Sequence, residues 1–430
     1  MQPSSKTLNQ GQQAAADSFF DFLLSDEREM RITGPGGTGK THLMGYLIDQ
    51  VLPQYQKVCK LTGQPVLYNE VHMTATTNKA ADVLSQNTGR PCSTIHSFLA
   101  LRVVDDYDTG ASRLSRTAKS KTFKNIIIFI DEASMEDHKL LTIIRESLLD
   151  CKLVHVGDHC QLAPVGELMP PVFAEPMREA RLTEPMRNSG QPALQQLCSQ
   201  LRHTVETGEF YPIEPMPGVI DLVDDAAMIA ELRIHFLTES TASILAYSNN
   251  RVVEYNDFVH KTLRQQTDML VVGETVVNNT ALKIGTAMVS AEEEVRIHEV
   301  LPGINVDHLP KDGALEYRQC VVACNAGLFT VRIPVSRAHY SKLTRYYAGI
   351  KDWTTYFHLK NNYADLRQRD ARTFHKSQGS TYSTVFIDAG NLSTCTVAET
   401  AARLLYVGVS RATTRVVFYD KLADKYGGYA

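Results

Sequence analysis

Short apolar runs rich in β-branched residues recur along this chain, and most are followed by a stretch whose apolar positions fall three or four apart. Residues 18–26, SFFDFLLSD, have helical spacing, and MRIT at 30–33 then leads into a Gly-rich turn and an amphipathic segment over 41–52. Residues 66–76, VLYNEVHMTAT, alternate as a strand does and give way to the Ala-rich NKAADVLSQ at 78–86. IIIFIDEAS at 126–134 has no polar interruption before its aspartate, the mark of a strand covered on both faces. CKLVHVGD at 151–158 repeats the theme after the helix-like HKLLTIIRESLLD. A second series starts after Pro192, with SILAYSNN at 243–250 as a strand and VVEYNDFVHKTLRQQ at 252–266 as a helix. It resumes with STVFIDAG at 383–390 and LLYVGVSRATTRVVFYD at 404–420. Strands alternating with helices argue for an α/β fold with parallel, doubly wound sheets.

Two stretches break this rhythm. Residues 101–123 hold short segments around an Asp-Thr-Gly turn and read as a β-hairpin inserted in the first α/β section. From about 283 to 333, alternating segments are broken by PG, KDG and NAG turns, a small β-rich insertion of barrel type. Helix-capable aromatic text with Trp353, Tyr356 and Phe357 follows, placed either to bridge to the hairpin or to fill a core.

Length fits this division, because 430 residues exceed one ordinary core. No apolar run approaches the roughly 20 residues of a membrane span, and the first residues lack the layout of a secretory signal, so the expected location is the cytoplasm or an equivalent reducing compartment. The eight cysteines are scattered without a CxxC pair and read as free thiols; Cys320 and Cys324 fit one strand. No histidine spacing suggests a dedicated metal cage. With a net charge of −4, any nucleic-acid surface has to be a local track rather than a basic face, and RLSRTAKSKTFK at 113–124 is one candidate.

GPGGTGKT at 34–41 fits the phosphate-binding pattern GxxxxGK[ST], in strand–loop–helix context. The residues Gly34, Pro35, Gly36, Gly37, Thr38 and Gly39 let backbone N–H groups approach phosphates, Lys40 reaches the outer phosphate oxygens, and the Thr41 hydroxyl suits Mg²⁺. A second carboxylate at the end of a buried strand completes such a site. Asp131 would hold Mg²⁺, and Glu132 would orient and deprotonate an attacking water, which points to hydrolysis of ATP. In VGDHCQLAPV at 156–165, Gln161 is an uncharged group placed to feel the γ-phosphate.

The ordered succession GPGGTGKT, TATTNKAA, STIHSFL, DEAS, GDHCQLAPV, LTEPMRNS, AYSNNRVVEYN, RTFHKSQGST and YVGVSRA resembles the motifs of superfamily 1 DNA helicases, in their RecD-like, phage-type branch. The resemblance covers nearly the whole chain. It implies a RecA-like motor domain at 1–190 interrupted by a hairpin pin at 100–123, and a second at 191–282 and 366–430. Residues 283–365 would be an SH3-like insertion with a helical extension. It also implies that Gln12 in LNQGQQAA reads adenine, that Arg187 and Arg411 grip the γ-phosphate from the second domain, and that Gln378 and Gly379 couple nucleotide state to DNA. DNA phosphates would meet Thr77, Asn78, Lys79, Thr94, His96, Thr373, His375 and Lys376. In members with a proline and a histidine around the first DNA motif's threonine, this chain has Thr76 and Asn78.

The implied activity is an ATP- and Mg²⁺-dependent helicase that steps 5′-to-3′ on single-stranded DNA and opens forks or overhang duplexes. The implied state is a monomer without membrane contact, working in a host cytoplasm if phage-encoded, beside a single-strand-binding protein. A small-molecule phosphotransferase would keep GPGGTGKT but not need Glu132, Arg187 or Arg411. An ATP-switched DNA-binding protein would keep all of them and separate no strands.

Overall fold

The computed structural model describes residues 8–117, 119–164, 167, 169–184, 191–238, 240–285 and 287–430. The expected site residue Arg187 lies outside the described residues.

Five parallel pairings build the first sheet, in the order Cys92–Thr94, Glu70–Ala75, Ile126–Asp131, Lys152–Gly157, Glu29–Thr33 and Arg178–Arg181. Ile126 to Ile130 are all buried, which is why that strand carries no alternation. Helices Gln10–Leu24 and Lys40–Tyr46 pack their apolar faces on this sheet around Phe19, Phe22, Leu43 and Phe129. The second sheet is also parallel, in the order Ala371–Thr373, Ala242–Ala246, Tyr382–Asp388, Ala412–Tyr419 and Ile220–Val223. Its largest core runs through helices Pro192–Thr207 and Ala398–Ser410.

The run at 404–420 divides in two. Ala398–Ser410 is helical and Ala412–Tyr419 is a strand, and the apolar run Leu404–Val409, buried on all sides, shows no period that would tell helix from strand.

The third sheet is antiparallel and joins Asn305–Leu309, Gly313–Cys324, Glu293–Val300, Thr275–Asn278 and Leu366–Arg367, with Gly327–Pro334 on Gly313–Cys324. It therefore spans 275–367, not 283–365. Thr275–Asn278 and Leu366–Arg367 are too short to show a period by themselves, and each is held by pairing with the other. Cys320 and Cys324 lie on one strand, and all eight cysteines are free.

Leu101–Asp105 pairs with Ser112–Arg116 as the hairpin. Its tip rests on the helix Trp353–Asn362. The Tyr107 and Phe357 rings are 5.0 Å apart, and Asn361 Nδ2 donates to Asp105 Oδ2 at 2.9 Å. Gly110 turns at φ 73°, and a Cβ there would come within 2.3 Å of the Trp353 ring. Of the two readings of the aromatic segment, Phe357 serves both, being buried in contact with the pin.

Candidate active site and nucleic-acid interface

The Gly-rich loop sits where strands Glu29–Thr33, Lys152–Gly157 and Ile126–Asp131 end side by side, the place where open parallel sheets hold ligands. Gly34 N donates to Gly157 O at 3.1 Å, and Leu182 N donates to Thr33 O at 2.7 Å. A Cβ on Gly34 would lie 2.5 Å from Leu182 O, so the backbone approach itself requires glycine. Gly37 and Gly39 adopt left-handed φ of 86° and 79°, and Gly39 caps the helix that begins at Lys40. Thr41 follows in its first turn.

Lys40 Nζ donates to the carbonyls of Gly34 and Pro35 at 2.7 and 3.0 Å, so the ammonium folds over its own loop. Burial lowers its pKa, against the opposing pull of Asp158, Glu132 and Asp131. Thr38 Oγ1 donates to Pro35 O at 3.0 Å. Gln12 is buried, and its Nε2 donates to Thr38 O at 3.2 Å while its Oε1 accepts from Asn9 N at 3.2 Å. The amide thus ties the first helix to the loop, with both ends engaged.

Asp131 and Glu132 end the buried strand, and Glu132 takes a left-handed φ of 54°. Glu132 N donates to Asp131 Oδ1 at 2.9 Å. Thr76 fixes this corner, its N donating to Asp131 O at 3.2 Å and its hydroxyl to Glu132 O at 3.0 Å. Desolvation, and secondly the neighbouring Glu132, push the Asp131 carboxyl up to about 7. A recessed carboxyl beside a second acid offers hard oxygen donors of the kind that Mg²⁺ takes.

The wall opposite belongs to the second sheet's helices. Asp158, fully buried, accepts from Arg202 Nη1 at 2.7 Å and from the Tyr406 hydroxyl at 2.6 Å. Arg403 donates to the carbonyls of His159 and Gln161. The Gln161 side-chain oxygen lies 3.5 Å from Gln378 Nε2, an amide pair at the outer limit of a hydrogen bond. Arg202 and Tyr406 line a cleft of about 380 Å³ whose far side is Gly34 to Gly36.

Arg411 is buried and turned toward its own helix, with Nη2 donating to Ser410 Oγ at 2.9 Å and Nη1 to Ser380 O at 3.5 Å. Gly379 turns at φ 72° with open space where a Cβ would stand.

Sequence reasoning finds Gln161 but not its neighbours Asp158, Arg202, Arg403 and Tyr406. Asp158 and Tyr406 do sit inside quoted motifs, whereas Arg202 gives no signal beyond its i,i+4 partner Glu206. Side-chain donors of Asp158, His159 and Cys160 lie within 4.8 Å of one another. Arg202 and Tyr406 already occupy the aspartate, and burial pushes the Cys160 thiol far up, so the group is an interdomain contact rather than a metal cage.

The expected DNA residues cluster at three short turns. Thr77, Thr94 and Thr373 each cap a helix, accepting from the backbone N of Ala80, Ser97 and Lys376 respectively. The strands Cys92–Thr94 and Ala371–Thr373 are edge strands of their sheets, so two of these turns occupy matching places in the two halves. Asn78 is exposed at the start of its helix. His96 and His375 are half-buried, and desolvation lowers both pKa values. Lys79 Nζ reaches across to Ser380 Oγ at 2.6 Å, and Lys376 Nζ is bound by Glu292 at 2.6 Å and by Asn279.

The AAA domain family matches residues 7–212, and the UvrD-like helicase C-terminal domain family matches residues 370–419. The ATP-dependent DNA helicase Dda of Enterobacteria phage T4 is 24% identical over 454 residues, spanning 96% of this chain and 99% of Dda. Among solved structures, the Pif1 helicase of Candida albicans is 18% identical and covers 98% of this chain and 96% of its own, with a TM-score of 0.50. A Bacteroides Pif1 helicase in complex with ADP-AlF3 and ssDNA is 14% identical, covering 98% and 94%, with a TM-score of 0.52. Those two likenesses concern the fold, two parallel sheets with a β-rich addition. No helix among the described residues is long and apolar enough to cross a membrane.

Proposed function

We infer that this chain, a superfamily 1 helicase similar to Dda and Pif1, is an ATP-dependent DNA helicase whose two parallel-sheet units close on nucleotide and step along a single strand. The observation that carries this reading is the shared cleft. Gly34 to Gly36 line one wall, at the start of the loop that leads to Lys40, and Arg202 and Tyr406 on the other already grip Asp158.

In this reading ATP sits on the loop amides, and Lys40 leaves the Gly34 and Pro35 carbonyls for the phosphates. Thr41 and Asp131 would hold Mg²⁺, which supplies charge neutralisation at the phosphates when bound. Asp131 would bind the ion in its ionised form, and Glu132 orients and deprotonates the attacking water. Gln161 and Gln378 report the outer phosphate to the DNA side, and Arg411, with Arg187, supplies positive charge from the second unit. Closure of the units on ATP is driven by its higher affinity for the closed state, and hydrolysis removes that difference.

DNA phosphates run over the three capped turns at Thr77, Thr94 and Thr373, where backbone N–H groups bind without reading bases. We further propose 5′-to-3′ movement, a monomeric motor, action in a host cytoplasm and contact with a single-strand-binding protein. A duplex with a 5′ overhang, tested beside one with a 3′ overhang, decides the matter. Unwinding is expected from the 5′ overhang. Unwinding only from the 3′ overhang overturns the polarity, and DNA-stimulated ATP hydrolysis without strand displacement overturns the helicase reading in favour of an ATP-switched binder.

A further inference from the structure

A small pocket lies between the second parallel sheet and the β-rich sheet, lined by Asn279, Glu292, Arg369, Arg372, Thr373 and Lys376. Its cations are unevenly satisfied. Lys376 is bound by Glu292 at 2.6 Å, and Arg369 by Glu294 at 2.7 Å, so both acids come from one turn of the β-rich sheet. Arg372 is only 9% exposed and its Nη2 donates to Arg369 O at 3.2 Å, yet among the described residues its Nε has no partner, and neither has the hydroxyl of Tyr382, over whose ring the guanidinium sits at 5.5 Å.

A buried N–H left unpaired costs free energy, and an unfilled anion position explains why it persists. Lys79 approaches from the first unit to Ser380. Its pKa is lowered by burial and then by Arg372, against the opposing pull of Glu294 and Glu292. Glu292 holds its carboxylate here from a left-handed φ of 62°, a conformation that glutamate rarely adopts.

We propose that this pocket seats one backbone phosphate of the bound strand, held by Arg372 and Lys376, and that Glu292 occupies Lys376 in its place while DNA is absent. The proposal rests on the DNA-motor reading above. A planar guanidinium suits a phosphate's paired oxygens, and Thr373 on the same turn already belongs to the expected DNA track. Lys376 and Glu292 are each about one-third exposed, at 33% and 32%, so their ion pair is screened and weak enough to be exchanged. The acidic turn acts as an internal stand-in for DNA, keeping the cations neutralised between binding events.

The test is anisotropy of fluorescein-labelled oligo-dT with the full chain, without nucleotide, over a salt series. Glu292→Gln removes the competitor and is expected to tighten binding about two- to tenfold at low salt. Arg372→Gln is expected to weaken it and to reduce the slope of log affinity against log salt by about one. Arg372→Lys, which keeps the charge, restores the slope; a merely structural loss would not return it. Unchanged or weaker binding by Glu292→Gln overturns the proposal, as does an unchanged slope in Arg372→Gln. If the parent chain itself fails to bind oligo-dT, the DNA-motor reading falls instead.

Discussion

Tyr406, on a helix of the second parallel-sheet unit, donates its hydroxyl to the fully buried carboxylate of Asp158 in the first, at 2.6 Å. Arg202 takes the other oxygen at 2.7 Å, which also accepts from Cys160 N at 3.1 Å, so one aspartate beside the phosphate loop is gripped by two side chains from across the cleft. Burial would raise its pKa, but Arg202 and Lys40 hold it below the ordinary carboxylate range. Tyr406→Phe removes one charged hydrogen bond and is expected to cost about 1.5–3 kcal/mol of stability. Asp158→Asn, which strands the arginine, is expected to cost more, about 3–5 kcal/mol. Denaturant midpoints order the two, and equal values would show that Arg202 finds another partner.

Lys40→Ala is expected to lower oligo-dT-stimulated ATP hydrolysis at least about a hundredfold, since one preorganised cation at the transferring phosphate is lost. Binding of oligo-dT should survive, because among the described residues the Lys40 ammonium donates to the Gly34 and Pro35 carbonyls of its own loop and not to the expected DNA track. Phosphate release and anisotropy on the same preparation measure both. Undiminished turnover would remove the phosphate loop from the catalytic site.

The hairpin is fastened at its tip. Tyr107 and Phe357 are worth about 0.5–1.5 kcal/mol beyond their buried area, and Gly110 is pressed against Trp353. Gly110→Ala puts a methyl into that ring and a non-glycine residue at φ 73°, which frees the tip. Unwinding should fall several-fold while ATP hydrolysis on oligo-dT stays near the parent's. Loss of both in equal measure would mean that the hairpin supports the motor rather than the splitting of strands.

What was legible follows from how locally each feature is encoded. The loop at 34–41, the acids at 131–132 and the alternation of strands and helices are short-range patterns. The Arg202–Asp158–Tyr406 contact joins three separate stretches, and Arg202 on a helix face reads as one more surface arginine. Thr275–Asn278 became visible only through its pairing with Glu293–Val300 and with Leu366–Arg367, the latter nearly a hundred residues later. Likewise, sequence names Lys376 as a DNA contact but cannot say that Glu292 covers it.

His155 provides a pH signature away from the cleft. Fully buried, it lies 3.1 Å from Glu136 and 3.6 Å from Glu29, and Arg145 braces Glu29 at 2.8 Å. Burial would lower its pKa, but the two carboxylates win and raise it to about 9. A group whose folded pKa lies above its ordinary 6.5 adds stability that is complete below 6.5 and lost as pH rises through about 9. The loss is of order 3 kcal/mol, since each tenfold change in proton affinity corresponds to about 1.4 kcal/mol. Glu29, held near 2, is the same contact seen from its acid end, so that side fails only as pH falls from 4.5 toward 2. The stability this contact contributes is therefore expected to be greatest between 4.5 and 6.5 and to decline as pH rises toward about 9, read as the difference in denaturant midpoint between the parent and His155→Gln. In His155→Gln the alkaline decline should vanish, and the variant should be most destabilised below pH about 6.5, where the charged imidazole contributes in full. An alkaline decline that persists in His155→Gln would assign the slope to another group.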